Sequence, residues 1–546
     1  EAMRMPVPAE VTLKPPGAWK LIGQRLPRLD SVSKTTGRAV FSFDVRRPGM
    51  LVAVVRRPDL FGATVRSFDD REARAIDGVV DVVQVPSGVA VLAEDTWTAL
   101  RGREALKVDW DTGKAETRSV EDMLAEYRTL AGEKGLPALR RGDAEAGLAR
   151  AAKVYEAEFT FPFLAHAPME PLNCVIELSD DGAELWSGCQ LQSIDQAAIA
   201  RVLGLKPQQI KINTLFGGGS FGRRGNPMAD WTKEIAHVAK AVGRRVPIQL
   251  VWTREDDIKG GFYRPLVLHR VRAGLDDGGR IIGWRHKIVC QSLFVGTPLE
   301  SSLVHDGIDE TSVEGVVDTP YEIGNFAVES FNAQSLIPVL WWRSVGNSHG
   351  AHAMETAIDE LARLAGQDPV AFRLALLADK PRDAAVVKLA AERAGWGQAL
   401  PAGRGRGFAY HSCYNTRVAM VADVAVARSA IKVDRIVAAV DCGVAVNPDI
   451  ITAQIEGAVG FALSACLRNQ ITFADGVVQQ TNFDDYAPTH MSEMPQVEVH
   501  IIASQADATG IGEPGVPPLA PAIGNAIFAA TGKRLRSLPF AAKALG

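Results

Sequence analysis

A chain of 546 residues, 47% apolar and 23% charged, exceeds what one hydrophobic core needs and divides into about three or four domain-sized units. Its net charge of −4 offers no basic face for nucleic acid or an anionic membrane surface. No run of ~18 apolar residues occurs in it, so no membrane span is expected, and no charged-then-apolar signal peptide opens it.

Residues 1–20, rich in Pro and Lys, read as an N-terminal arm. "AVFSFDV", "LVAVVRRP" and "GVVDVVQV" are short β-branched runs between turn residues, and "GVAVLAED" followed by "TWTALRGREAL" reads as a strand feeding a helix. These make residues 21–112 a compact α+β unit. The polar stretch 113–149 reads as a linker. A long mixed α/β region, 150–546, follows. "KVYEAEFTFPF", "AELWSGCQ", "IKINTLF" and "PIQLVWT" are strand-like. "SIDQAAIARVLGL" and "ADWTKEIAHVAKAVG" are helical, with Gly204 and Gly243 as stops. "HAMETAIDELARLAG", "ITAQIEGAVGFALSACL" and "PAIGNAIFAATG" are further helices, and "VAMVADVAV" and "RIVAAVDCG" further strands.

The six cysteines, Cys174, Cys189, Cys290, Cys413, Cys442 and Cys466, are scattered and form no CxxC pair. That argues against a zinc site or an iron–sulfur cluster held by this chain. They read as small buried apolar residues.

"FGGGSFGRRGNP", residues 216–227, follows a strand. Glycines there let the backbone approach a ligand or simply turn, and composition leaves the two readings open. No GxxxxGK run is present. GxGxxG is matched at 217, 219 and 222, but Asn226 and Pro227 separate it from the next helix. An NAD-linked dehydrogenase rests on that spacing alone. In "GIGEPGVPP", Glu513 sits between glycines and prolines, on a rigid turn suited to a general base and equally to a helix cap. Arg343, in "WWRSVG", reads as a guanidinium held by aromatic neighbours. His166, Met169 and Glu170, in "HAPMEPLNC", read as structural residues.

Several motifs recur together in one order: "WSGCQLQS", "FGGGSFGRRGNP", "WTREDDIKGGFYRP", "LWWRSVGNSHGAHAMETAIDELA", "DCGVAVNPDIITAQIEGAVGFALS" and "GIGEPGVPPLAPAIGNAIFAATG". From about residue 21 to its end the chain resembles the molybdenum-binding large subunit of the xanthine oxidase family. Within it, the chain is similar to the isoquinoline 1-oxidoreductase β-type branch, which includes bacterial aldehyde dehydrogenases.

The resemblance implies an α+β fold: an α/β hammerhead domain at 21–112, then a large two-part molybdenum-cofactor-binding domain at 150–546. It implies an oxidative hydroxylase of aldehydes or N-heteroaromatic rings that uses water-derived oxygen. A non-catalytic molybdopterin-carrying or assembly subunit is the alternative. The implied cofactor is molybdenum–molybdopterin cytosine dinucleotide, with the metal held by the pterin dithiolene and by no protein side chain. Glu513 would be the base, Gln190 a hydrogen-bond donor to the metal's oxo ligand, and Arg343 a site residue. Gly218, Gly219, Ser220, Phe221, Gly222, Gln190 and Gly512 would contact the cofactor, the glycines letting main chain pass where a side chain would collide. Phe221, Arg264 and Arg343 would line the substrate pocket. Gln454 and Glu456 resemble a segment near the pterin, and His166, Met169 and Glu170 resemble one near the site entrance. Ser220 replaces a glycine of the family's GGGFG pattern. Arg223 and Arg224 read as solvated or phosphate-facing. Arg224 and Gly225 depart from the lysine and glutamate of the purine oxidisers, so purine oxidation is not expected. The family's "GQG" pterin motif is absent. In this branch it precedes the hammerhead, so a segment before Glu1, from the same gene or another chain, is expected to supply it. The implied partners are an iron–sulfur subunit with 2Fe–2S clusters and a cytochrome c subunit, and the implied location is periplasmic, with the signal in the segment before Glu1, or otherwise cytoplasmic.

Overall fold

The computed structural model describes residues 2–243, 245–427 and 430–545. A seven-stranded sheet runs in the order Ile210–Thr214, Ala183–Ser187, Asn173–Leu178, Ile248–Val251, Leu51–Arg56, Gly88–Ala93, Val79–Val85. Leu51 and Ala53 pair in parallel with Ile248 and Leu250. Three strands of the segment 21–112 therefore extend a sheet built by residues 173–251, while Thr64–Asp69 and Lys107–Asp111 pair antiparallel in a two-stranded sheet of their own. Helices Gln192–Leu203 and Asp230–Val242 cover one face through Ile199, Trp231 and Ile235, and helix Thr96–Ala105 covers the other through Ala99. Gly204 and Gly243 end their helices in the left-handed conformation, at φ 75° and 64°, which glycine adopts without a Cβ clash.

A five-stranded sheet is ordered Leu136–Arg141, Phe326–Asn332, Ile281–Cys290, Val267–Leu275, Lys153–Phe161, and a four-stranded sheet is ordered Arg404–Cys413, Thr416–Ala427, Ala430–Asp441, Gln496–Ile501. One continuous apolar core joins them with helices Asn347–Leu364, Pro448–Leu467 and Leu519–Thr531. Helix Pro448–Leu467 is long and apolar enough to cross a membrane by length and composition, with a mean hydropathy of 1.6, although no such run was expected. Ile451, Ile455, Val459 and Leu463 are buried in that core, which accounts for the composition.

Two local expectations need correction. "AVFSFDV" is not a strand: Ser42–Asp44 is a 3-10 turn, because the Asp44 carboxylate accepts from the Phe41 N–H at 2.9 Å and closes the chain on itself. The 113–149 stretch is folded rather than a linker. Helix Val120–Leu130 starts at a Ser119 capping box, and Leu136–Arg141 forms the edge of the five-stranded sheet. An edge strand exposed on both flanks lacks the apolar alternation that marks a strand in sequence.

Helix Leu519–Thr531 lies directly on strand Arg404–Cys413. A Cβ on Gly407 would stand 2.2 Å from both the Ala522 carbonyl oxygen and the Ala526 nitrogen. Gly407→Ala is expected to destabilise the protein by about 1–3 kcal/mol, because backbone cannot yield as a side chain can. A denaturant midpoint equal to the parent's, with unchanged slope, would contradict this.

Candidate functional site

Five segments converge at one cleft: the glycine loop 216–225, Gln190, the loop 341–346, helix Pro448–Leu467 and the turn 510–517. Phe221 joins them. Its carbonyl accepts from the Arg343 N–H at 2.9 Å, and its ring stacks on Phe461 at 4.2 Å with 21° between planes. Phe461 stacks in turn on Trp342 at 4.6 Å. These three rings, with Ala165, Phe483 and Tyr486, line a cavity of about 180 Å³. Phe221 holds φ 57°, a left-handed conformation unusual for a side-chain-bearing residue, which the ring stack maintains.

Glu513 lies half-buried on the "GIGEPG" turn. The Ser344 N–H donates to its Oε1 at 2.9 Å, and the Ser344 hydroxyl donates to its carbonyl at 2.8 Å. Oε2 has no hydrogen-bond partner among the described residues. Arg343 ties this turn to the long helix: Nε donates to the Gly512 carbonyl at 2.7 Å and an Nη to the Gln454 side-chain oxygen at 3.1 Å. Burial draws the Arg343 guanidinium below its ordinary value, and the Glu513 carboxylate opposes that shift. Gln190 is exposed. Its Oε1 accepts from the Ser220 hydroxyl, which leaves its amide N–H groups without a protein partner among the described residues. Ser220 also accepts from the Arg224 N–H at 3.1 Å, so the serine that replaces a glycine orders the loop and orients Gln190.

The glycines serve the protein before any ligand. A Cβ on Gly218 would stand 2.5 Å from the Glu170 Cβ, and one on Gly222 would stand 2.2 Å from the Trp341 carbonyl oxygen at φ 116°. The Glu170 carboxylate, read from sequence as merely structural, binds the loop at the Gly218 N–H (2.6 Å) and at Arg224 (3.0 Å).

Three placements differ from expectation. Arg264 is buried and does not line the cavity: it donates to the Pro162 carbonyl, lies over Trp342 at 5.6 Å, and burial lowers its pKa to about 10. Arg223 and Arg224 are neither solvated nor phosphate-facing. Both are buried, Arg223 paired with Asp230 at 2.6 Å and Arg224 with Glu170. Asp230, in the first turn of the next helix, thus puts a negative charge where a dinucleotide phosphate would have to bind, which counts against the NAD reading. His166 is buried on the Trp341 carbonyl at 2.8 Å and held neutral, its pKa pushed down to about 3 by burial. Sequence reasoning did not single out Phe461, Ser344, Tyr414 or Glu314, four further residues around the cleft.

The residues present fit a bound cofactor with its own flat ring system. A Cβ on Gly457, Gly510 or Gly512 would meet open space, and Ala453, Glu456 and Gly457 form an exposed helix face beside them. The amide of Gln190 supplies unpartnered donors at the same cleft.

This fold and this cleft define the cofactor-binding component of a molybdenum-dependent oxidoreductase. The molybdopterin cofactor-binding domain family matches residues 130–376 and, in its second part, 349–495. The chain is 33% identical to the beta subunit of isoquinoline 1-oxidoreductase from Brevundimonas diminuta, over 98% of this chain and 70% of that one. It is 31% identical to the membrane-bound aldehyde dehydrogenase (pyrroloquinoline-quinone) of Gluconacetobacter polyoxogenes, over 97% and 73%. It is 30% identical to the B component of nicotinate dehydrogenase from Pseudomonas putida, spanning 46% of that longer protein. Quinoline 2-oxidoreductase from Pseudomonas putida 86 shares the fold at a TM-score of 0.81 and 15% identity, covering 95% of this chain and 97% of that one. The chain belongs to the xanthine oxidase family, as a molybdenum-binding large subunit of the isoquinoline 1-oxidoreductase β-type.

Proposed function

We propose that this chain oxidises the carbon of an aldehyde or an N-heteroaromatic ring with water-derived oxygen and passes the electrons to a partner protein that carries 2Fe–2S clusters. The observation that carries the reading is Glu513: a carboxylate fixed through one oxygen on a Gly/Pro turn, with the other oxygen free of partners among the described residues. The bound molybdenum–molybdopterin group, in its cytosine dinucleotide form, supplies the oxygen transfer and accepts the two electrons. Glu513 takes the proton released as the carbon is oxidised. Gln190 would offer its amide donors to the bound group, and the Arg343–Gln454 pair would fix the turn beside it. Phe221 forms the wall against which the substrate settles. Two of the relatives are named as one component of a larger assembly, which supports a partner chain.

The test is purification of the chain with its partners, followed by elemental analysis, identification of the released nucleotide, and turnover of isoquinoline and an aromatic aldehyde. Molybdenum, cytidine monophosphate, iron in a second chain, and turnover of either substrate are expected. A full complement of molybdenum without turnover of any substrate would leave the carrier role instead.

A further inference from the structure

Arg264 is almost completely buried, and no carboxylate among the described residues pairs with it. Its Nη2 donates to the Pro162 carbonyl at 2.9 Å, and the rings of Trp342 and Phe161 lie 5.6 and 6.0 Å from the guanidinium. Its Nε is sealed from solvent and has no partner. Carbonyl and ring contacts soften a buried positive charge but do not cancel it. The buried arginines of the glycine loop, Arg223 and Arg224, each have a carboxylate for that purpose. Arg264 has none.

Arg264 borders a small cavity behind the loop 341–346, with Trp342, His349 and Gln291 also on its wall. Its volume of about 10 Å³ is room for one small occupant. Trp342 Nε1–H is a second sealed donor without a partner. His349 supplies a third. Its Nδ1 lies 2.9 Å from His269 Nε2, and His269 Nδ1 lies 2.7 Å from His286 Nε2. Burial keeps all three imidazoles neutral, so each hydrogen bond holds one proton and the chain runs in one of two directions. Running toward His286 would leave an unpaired N–H at its buried Nδ1, which has no partner. Buried unpaired N–H groups are rarer than unpaired acceptors. The other direction leaves the hydrogen on His349 Nε2, at the cavity wall. Arg264 alone opposes that direction; an anion between the two favours it. Gln291 Oε1 is an unpartnered acceptor on the same wall, but one unpaired carbonyl costs less than an unpaired charge. Asp309, beside the lining residues Thr311 and Ser312, commits both oxygens to Ser292, Leu293 and Thr311.

We propose that this cavity is a halide site, filled by chloride, that cancels the Arg264 charge and braces the loop 341–346 from behind. Its size leaves no room for sulfate, phosphate or a carboxylate. Its donors, Arg264 Nε–H, Trp342 Nε1–H and His349 Nε2–H, suit a small spherical anion. The loop needs a brace: Ser344 and Val345, in succession, hold φ 78° and 48°, the left-handed region that is strained for residues with a Cβ. Val345 and Gly346 line the cavity, and Ser344 beside them holds Glu513 through its N–H and its hydroxyl. Halide occupancy thus reaches the candidate base through the loop, without contact to substrate or cofactor.

The experiment uses the purified complex, exchanged into sodium gluconate to remove halide. Sodium chloride is titrated in at constant ionic strength, with thermal unfolding as the readout. The unfolding midpoint is expected to rise by about 2–5 °C along a saturating curve, as a ligand that binds only the folded state requires. Crystals of the same complex, grown with chloride and measured at long wavelength, should show an anomalous peak within hydrogen-bond distance of Arg264 Nε and Trp342 Nε1. Trp342→Phe keeps an aromatic ring against Phe461 and removes one donor, so the chloride concentration at half-saturation should rise about tenfold. Arg264→Met should abolish both the peak and the chloride response. Density at that position without an anomalous signal identifies a water and overturns the proposal. So does a midpoint that is the same in chloride and in gluconate, or a chloride response unchanged in Trp342→Phe.

Discussion

Glu513→Gln is expected to lower kcat/KM by about 10²- to 10⁴-fold with molybdenum content and melting temperature at wild-type values. The substitution preserves shape. The Ser344 N–H still finds an oxygen at the Oε1 position, and the Ser344 hydroxyl still grips the main-chain carbonyl of residue 513. The turn also keeps its Val516 N–H bond to that carbonyl at 3.0 Å, and Arg343 keeps its bond to Gly512. What changes is the unpartnered oxygen, which becomes an amide nitrogen that cannot take a proton. Steady-state kinetics with an aldehyde and with isoquinoline, run beside metal analysis, give the answer. Near-native turnover by a fully loaded variant would remove Glu513 from the chemistry. An equal loss of metal and activity would instead assign it to cofactor retention.

How much of this was legible in the sequence depends on the range of the interaction. Gly204 and Gly243 announce their helix ends because a cap is a local event. The parallel pairing of Leu51–Ala53 with Ile248–Leu250 is not announced, since no local pattern encodes a partner so distant. Glu513, Gln190 and Phe221 stand out only because several motifs agree in order; singly, each has an ordinary structural reading. Arg264 misleads because "FYRP" carries no information on depth, and the residue lies behind Trp342. Arg223 and Arg224 mislead for the opposite reason: charge suggests solvent, but Asp230 and Glu170 compensate their burial. Glu314 and Tyr414 lie in stretches with no signature, and their nearness to Glu513 exists only in the folded chain.

Glu355→Ala is expected to destabilise the protein by about 3–5 kcal/mol, a large share of the roughly 5–15 kcal/mol that holds a folded protein together. Glu355 is fully buried on helix Asn347–Leu364, where its Oε2 accepts from Arg373 Nε at 2.8 Å and from the Tyr410 N–H at 2.7 Å. Its Oε1 accepts from the Tyr321 hydroxyl at 2.6 Å. Arg373 is wholly buried too and is held further by the Glu355 and Pro369 carbonyls. Removing the carboxylate leaves that guanidinium with carbonyls, the Phe408 ring 5.6 Å away and the more distant charge of Asp359. The penalty is then mainly the desolvated charge left behind rather than the lost attraction. The double variant Glu355→Leu/Arg373→Met separates these two contributions, because it removes both charges and keeps the volume. It should recover most of the stability lost in the single variant, as measured by denaturant unfolding. If the double variant is no more stable than Glu355→Ala alone, the lost attraction rather than the stranded charge dominates and this account of it is wrong. The helix that carries Glu355 begins at Asn347, so the same measurement reaches the active cleft: loosening this anchor frees the turn that positions both Glu513 and Glu314.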